Sequence, residues 1–132
     1  ANKLDQLPLH AEFVNNKGQL ILLSHAGYTP WSYINEPSTL ASLPSQKELL
    51  WDRDHINEIR WHRDDNEIIL HGHTPIPLMP QLKKFADEEI EPGAFWYCDM
   101  HRCNIDNGGC WTGDICLLDL DTWEEHIFYG KV

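Results

Sequence analysis

Two histidines, each close to a glycine and each following an apolar run, are the residues best suited to chemistry. His25 lies in Ser-His-Ala-Gly after the run Leu20–Leu23, and His73 lies in His-Gly-His-Thr-Pro after the run Ile68–Leu70. A neutral imidazole is a common metal ligand, and a nearby glycine lets the backbone turn sharply. Ligands of α/β sheets collect beyond the carboxyl ends of strands. The two histidines are therefore candidates for ligands of one shared metal ion.

Arg53, in the sequence Trp-Asp-Arg-Asp between the two histidines, is a candidate for binding phosphate. The chain carries 21 acidic against 10 basic residues and a formal net charge of −11. In such a chain an arginine suits a phosphate group, because its planar guanidinium offers two parallel charge-assisted hydrogen bonds. The overall negative charge repels nucleic-acid backbones and anionic lipid headgroups. Neither nucleic acid nor a membrane is expected as a partner.

The cysteines suggest a different metal site. Cys98, His101, Cys103 and Cys110 are residue types that zinc accepts as ligands. Structural zinc sites usually contain two cysteine or histidine pairs with roughly two to four intervening residues each. Successive cysteines up to Cys116 are separated by four, six and five residues, which does not form two such pairs. Zinc is therefore the less favoured alternative, and the four cysteines are expected to be free thiols in a reducing cytoplasm.

Strands must position the candidate residues, and the sequence predicts several. Leu9 to Val14 and Gln19 to Ser24 read as a hairpin around Asn-Asn-Lys-Gly, because Asn and Gly adopt positive φ at little cost. The second of these strands and Glu67 to His71 are apolar at most consecutive positions, which is typical of strands buried on both faces. Four further strands are predicted, at residues 95–98, 103–106, 114–120 and 125–129.

Helices are expected to be few. Residues 28–46 contain three prolines and read as a long loop, residues 47–57 as a short helix, and residues 81–87 as one or two helical turns. Tight turns are expected at 107–109 and 121–123. The predicted fold class is α/β, rich in strands. Strands buried on both faces need a covering layer on each side, so the chain is expected to be incomplete as a domain.

Four motifs in order carry a resemblance to a known family. They are Ser-His-Ala-Gly-Tyr-Thr-Pro (24–30), Leu-Trp-Asp-Arg (50–53), Leu-His-Gly-His-Thr-Pro (70–75) and Asn-Ile-Asp-Asn-Gly-Gly (104–109). Together they resemble the second half of the calcineurin-like metallophosphoesterases, in the phosphoprotein phosphatase branch, and most of all its bacterial and phage (bacteriophage lambda type) serine/threonine phosphatases. The resemblance covers essentially all 132 residues. It implies that residues 1–132 form the C-terminal portion of one catalytic domain, a β-sandwich flanked by helices.

The resemblance implies roles for individual residues. His25 and His73 correspond to the two histidine ligands of the second metal ion, and Arg53 to a catalytic arginine that binds the substrate phosphate. The turn at Asn107 resembles a loop beside the metal centre, with a plain tight turn as the alternative. His71 departs from the family, which usually has an apolar or aromatic residue there. On an extended strand it would share a face with His73, so we assign it, with Asn107, as a support for the metal ligands or as a structural residue.

The first-half motifs of the family do not occur in the 132 residues: Asp-x-His, Gly-Asp-x-x-Asp-Arg-Gly and Gly-Asn-His followed by an acidic residue. In the family these supply the first metal's ligands, the bridging aspartate, an asparagine ligand and the general-acid histidine. Asp99-Met100-His101 matches the shortest of them by chance, because it lies in the wrong order and context. The isolated chain is therefore expected to be inactive and to bind at most one ion.

The function that the resemblance implies is hydrolysis of a phosphomonoester, on a phosphoserine or phosphothreonine protein or a small phosphate ester, by two divalent ions. Manganese or iron suits the mixed His, Asp and Asn ligand set. The alternative is a non-catalytic remnant that acts as a binding or scaffolding module. Association with a second copy or with the N-terminal half is expected. No run is long enough to cross a membrane and the first residues do not resemble a signal peptide, so a cytoplasmic location is expected.

Overall fold

The computed structural model describes residues 6–27, 46–53, 66–85 and 89–130. The elements in these ranges are mostly strands, joined by short helices. They are β1 (His10–Val14), β2 (Leu20–Ser24), α1 (Gln46–Trp51), β3 (Glu67–His71), two 3-10 helices (Ile76–Leu78 and Pro80–Phe85), β4 (Phe95–Tyr97), β5 (Arg102–Asn104), α2 (Gly109–Thr112), β6 (Ile115–Leu118) and β7 (Glu125–Phe128). The predicted strand-rich α/β class is confirmed.

The main sheet has five strands in the order β1-β2-β3-β5-β4. Its three inner strands run parallel: β2 pairs with β3 and β3 with β5 in the same direction, while β1 and β4 pair antiparallel at the edges. β6 and β7 form a separate antiparallel pair. Because the inner strands are parallel, their carboxyl ends meet at one edge of the sheet.

The β1–β2 hairpin forms where the sequence predicts it, because Asn15 organises the turn. Its side-chain oxygen accepts hydrogen bonds from the backbone amides of Lys17 and Gln19, at 3.0 and 2.9 Å. Gly18 takes a left-handed φ of 76°. The side-chain nitrogen Nδ2 of Asn15 also donates to the carbonyl of Leu120, at 2.8 Å, and so connects the hairpin to the C-terminal segment.

β3 lies at the centre of the sheet and is buried along its whole length, as its apolar sequence predicts. Alternation sends Ile69 to one face, where it packs with Leu22 and with Leu49 of α1. On the other face Leu70 packs with Ile21. Each fully buried aliphatic side chain contributes about 1.5–3 kcal/mol relative to an exposed one, so this strand is a major source of stability.

The second face of the sheet is covered by the segment around the β6–β7 pair. Leu118, Leu120 and Trp123 pack against the cluster that contains Ile21 and Leu70. Both faces of the inner strands thus receive cover from α1 on one side and the C-terminal segment on the other. Part of the cover that we expected from outside the chain is therefore supplied within it.

The predicted element boundaries hold to within a few residues, and the differences have local causes. β4 ends at Tyr97 because three consecutive residues, 98–100, have left-handed φ values of 50, 53 and 67°. The glycines after Asn107 do not form an isolated turn: Gly108 has a φ of 70° and introduces helix α2. The predicted 47–57 helix ends at Trp51 and begins at Gln46, a residue assigned to the predicted loop 28–46. The rest of that loop, residues 28–45, and residues 54–57 lie outside the described part.

The predicted helical turns over 81–87 are a 3-10 helix at Pro80–Phe85, with residues 86–88 outside the described part. In the described ranges, no helix combines the length and the apolar character needed to span a bilayer.

Candidate metal centre

The two candidate histidines lie together at the carboxyl edge of the sheet. His25 follows the last residue of β2, and His73 lies two residues after the end of β3. β2 and β3 pair in parallel, with Leu23 opposite Leu70, so the segments that follow the two strands leave the sheet side by side. A hydrogen bond of 2.9 Å from the Gly72 amide to the His25 carbonyl joins the two segments directly.

The imidazole rings of His25 and His73 face each other through one nitrogen each. Nε2 of His25 lies 3.2 Å from Nδ1 of His73, and the ring centroids are 5.0 Å apart. Two nitrogens that bind one ion at about 2.1 Å lie roughly 3.0–3.4 Å apart for angles at the metal between right and tetrahedral. The separation fits two ligands of one ion. The predicted proximity is confirmed, and metal binding stays a prediction.

His73 owes its position to an unusual backbone conformation. Its φ is 65°, a left-handed value that costs a non-glycine residue about 1–2 kcal/mol. Because β3 ends at His71 and the chain then turns, the alternation of an extended strand does not extend to His73. The expectation that His71 and His73 share one face was wrong for this reason.

His71 points into the protein, with 1% of its surface exposed. Its Nε2 lies 2.6 Å from the Tyr97 hydroxyl, and its Nδ1 lies 3.1 Å from the Gly72 carbonyl. Burial raises the pKa of Tyr97 well above its usual value, so this phenol keeps its proton and can donate to the imidazole. His71 thus contacts the segment of His73 through the backbone of Gly72.

The surroundings of His73 keep its imidazole neutral. Burial lowers its pKa below 6.5, and the nearby positive charge of Arg53 and the His25 ring lower it further. The charge of Asp106 and a hydrogen bond to the Trp51 backbone act in the opposite direction without reversing the shift. The Trp51 side chain also meets the His73 ring edge to face, with centroids 5.8 Å apart. A neutral imidazole held in place by its neighbours is the form that binds a metal.

Arg53 follows helix α1 and is exposed to solvent. Its charge acts on the pKa of His73, so the guanidinium lies in the neighbourhood of the histidine pair. The carbonyl of Leu49 in α1 accepts a hydrogen bond of 2.8 Å from the amide of Ala26, next to His25. This bond fixes the helix that leads to Arg53 against the end of β2.

Asp106 belongs to the same edge of the sheet and is a residue that the sequence motifs did not predict. Asp106 follows β5, the third parallel strand. Its side chain lies against Gly72, since a Cβ built on Gly72 would be 3.4 Å from the Cβ of Asp106. Its Oδ1 accepts a hydrogen bond of 2.9 Å from the Gly108 amide. The rule that pointed to His25 and His73 would also have found Asp106, but it required knowing that β5 runs parallel to β3.

Asn107 lies next to the site and its contacts are those of a structural residue. Its Oδ1 accepts a hydrogen bond from the Gly93 amide at 2.8 Å, and its Nδ2 donates to the Ile105 carbonyl at 3.1 Å. The side chain is buried and links the loop after β5 to the segment before β4. These contacts are structural, although the predicted plain turn is replaced by the start of α2.

The described ranges contain no group of three or more His, Cys, Asp and Glu side chains arranged to hold a metal ion. Among the described residues, the histidine pair would supply at most part of the ligand set of a metal ion. The cysteine alternative is not assembled in those ranges either. The four cysteines form no disulfide, and Cys103 is buried while Cys110 is exposed. His101 hydrogen-bonds the carbonyl of Glu67 at the amino end of β3, which is the opposite end from His73.

Comparisons with known proteins yield no relative: no family model matches the chain, and no curated protein or solved structure matches it either. The family resemblance therefore rests on the four motifs themselves.

Proposed function

We propose that this chain contributes the second-metal histidines and a phosphate-binding arginine to a two-metal phosphomonoesterase of the calcineurin-like type. His25 and His73 would bind one Mn²⁺ or Fe ion, and Arg53 would bind the phosphate of a phosphoserine, a phosphothreonine or a small phosphate ester. In such a centre the metal ions supply an activated water and neutralise the phosphate oxygens.

The observation that carries the proposal is the pair of imidazole nitrogens 3.2 Å apart at the ends of two parallel strands. Three features of the chain support it. The backbone hydrogen bond from Gly72 to His25 fixes the two segments relative to each other. The lowered pKa of His73 favours its neutral imidazole, in which one ring nitrogen carries no proton. The local strain at His73, whose φ is 65°, is typical of functional positions.

Arg53 has a separate task in this proposal. A guanidinium can bind two phosphate oxygens at once, and the attraction grows as negative charge develops on those oxygens during the reaction. Its exposure leaves the group accessible to a substrate from solvent. The same positive charge lowers the pKa of His73 and so favours the metal-binding form of the neighbouring ligand.

The remaining ligands would come from outside these 132 residues, because the first-half motifs of the family do not occur in them. A surface for such a partner would have to be apolar. On the outer side of the β6–β7 pair, Ile115, Leu117 and Phe128 are 54–56% exposed, although all three are large hydrophobic residues. An exposed apolar face of this kind is typical of an interaction surface, for the missing half or for a second copy.

Metal binding is tested on the chain itself by titration with Mn²⁺, followed by paramagnetic broadening of the histidine ring signals in NMR spectra. The signals of His25 and His73 should broaden first, and His25→Ala or His73→Ala should abolish the effect at the other ring. His126 is the control, since it is exposed on β7, in the separate two-stranded sheet. Broadening of His126 to the same extent as the pair would contradict the metal site and favour the binding-module alternative.

Phosphate binding is tested separately, by ³¹P NMR titration of inorganic phosphate in the presence of Mn²⁺. Arg53→Ala should weaken binding, and Arg53→Lys should recover only part of it, because lysine keeps the charge but not the planar fork. With a chromogenic phosphate ester and Mn²⁺, the isolated chain should show no appreciable turnover. Robust turnover that depends on His25 would contradict the proposal, because it would show that the two histidines and the arginine suffice for catalysis without further ligands.

A further inference from the structure

A second cavity, separate from the histidine pair, combines acidic side chains with exposed aromatic rings. It has a volume of about 540 Å³ and is lined by Glu89, Glu91, Asp114, Trp111 and Tyr129 among others. Pockets of roughly 300–1,000 Å³ are typical of sites for small ligands or short peptide segments. Neither the metal ligands nor the phosphate-binding arginine contributes to it.

The aromatic rings of this cavity are open to solvent. Trp111 is 64% and Tyr129 67% exposed, although side chains of this size are usually largely covered. The Trp111 indole lies directly over Gly108, since a Cβ at that glycine would be 2.9 Å from the ring carbon Cε3. One side of the indole is thus supported by the backbone, and the remainder is free for a ligand.

The floor of the cavity is formed by a close backbone contact that only glycines permit. A Cβ on Gly113 would lie 2.8 Å from the Cα of Gly130, so helix α2 and the end of β7 approach each other directly. Oδ1 of Asp114 accepts a hydrogen bond of 2.8 Å from the Gly130 amide and closes the same junction. The walls that carry Trp111 and Tyr129 are therefore fixed relative to each other.

We propose that this cavity binds an arginine side chain of a basic peptide segment. Three carboxylates and two open aromatic rings attract a planar cation, because the ring faces carry negative charge and a guanidinium stacks on them. No lysine or arginine occurs among the described residues that line the cavity, so the carboxylates are not neutralised by the described walls. The net charge of −11 also draws basic segments towards the chain.

The proposal does not depend on the proposed phosphatase function. It is tested by titrating the chain with a short Gly-Arg-Gly peptide, blocked at both ends, and following the Trp111 indole NH in NMR spectra. A peptide with citrulline in place of arginine is the matched ligand, since citrulline keeps the planar shape without the charge. We expect a saturable shift of the Trp111 signal with the arginine peptide and none with the citrulline peptide.

Two variants locate the site. Trp111→Leu should weaken arginine-peptide binding roughly two- to fivefold through loss of the cation–π contact, measured by calorimetry. Glu91→Gln should weaken it by a similar factor. Glu124→Gln removes the same charge from an exposed carboxylate outside the cavity and should leave the affinity unchanged.

Several results would overturn the inference. Equal binding of the citrulline peptide would mean that the cavity recognises shape and not charge. An equal loss in Glu124→Gln would mean that the arginine peptide responds only to the overall charge of the chain. An unchanged affinity in both Trp111→Leu and Glu91→Gln, with spectra of folded protein, would place any binding elsewhere.

Discussion

Asn104 holds the segment that carries His73, and its removal should cost a large part of the stability of the chain. The side chain is fully buried at the end of β5. Its Nδ2 donates to the carbonyl of Thr74 at 2.7 Å and also contacts the sulfur of Met79 at 3.2 Å. Its Oδ1 accepts a hydrogen bond of 2.9 Å from the Asp106 amide.

The expected loss for Asn104→Ala follows from these contacts. Thr74 is 3% exposed, so its carbonyl would lose a partner in a place that water does not reach easily, which costs about 1–3 kcal/mol. The bond to the half-buried Asp106 amide contributes about 1 kcal/mol more. We therefore expect Asn104→Ala to lower the free energy of unfolding by roughly 2–4 kcal/mol. Asn16→Ala, at an exposed turn position, is the control and should change it by less than ~0.5 kcal/mol.

Asn104→Asp separates the hydrogen bond that the side chain donates from the one that it accepts. The aspartate keeps the acceptor for the Asp106 amide but, when charged, places a second acceptor opposite the Thr74 carbonyl. Burial raises the pKa of such a carboxyl above its unfolded value of about 3.9. The loss in free energy of unfolding relative to wild type should therefore be small below about pH 3.9. Above it, the loss should grow by up to about 1.4 kcal/mol per pH unit until the pH exceeds the pKa of Asp at position 104 in the folded chain. The buried Arg102, two residues earlier on β5, would offset part of it.

Urea unfolding followed by circular dichroism, at several pH values and always as a difference from wild type, measures these effects. An Asn104→Ala variant as stable as Asn16→Ala would refute the reasoning, because it would show that the Thr74 carbonyl finds other partners. A penalty for Asn104→Asp that does not change with pH would refute the claim that the site excludes water.

Three further predictions concern other parts of the chain. In an NMR titration the ring of His73 should take up its proton below pH 6.5. Because the unfolded chain binds this proton at a higher pH than the folded chain, His73 lowers the free energy of unfolding as the pH falls below 6.5. A titration midpoint above 6.5 would contradict the assigned surroundings. Ellman's reagent should modify the exposed Cys110 quickly in the native protein but the buried Cys103, whose pKa is raised by burial, only after unfolding; equal rates would contradict the fold. Gly18→Ala and Gly108→Ala both place alanine at a positive φ, which costs about 1–2 kcal/mol. Calorimetry should show a larger loss of unfolding free energy for Gly108→Ala, because a Cβ there also meets the Trp111 indole. An equal loss would mean that the indole moves aside freely.

Local patterns in the sequence were sufficient to predict the strands, but not helix α2 or the 3-10 helix at Ile76–Leu78. The Asn-Asn-Lys-Gly turn specifies the first hairpin because Asn15 and Gly18 favour it locally. The C-terminal segment then stabilises the turn, since the Asn16 amide donates to Oδ1 of Asp121. The unbroken apolar run before His71 identifies the central strand, because only a strand covered on both faces can hide every side chain. Both histidines could be predicted to follow strands, and the acidic balance is a matter of composition alone.

The arrangement of the site depended on contacts between distant parts of the chain. The parallel pairing of β5 with β3, which brings Asp106 beside Gly72, links residues more than thirty positions apart, and no local signal specifies it. The positive φ of His73, which ends the strand alternation, is likewise imposed by the surrounding structure. Strand propensity is a property of short segments, whereas strand order and side-chain direction at strand ends result from the packing of the whole sheet. The sequence alone therefore determined which residues have suitable chemistry, and the tertiary structure decided which of them meet.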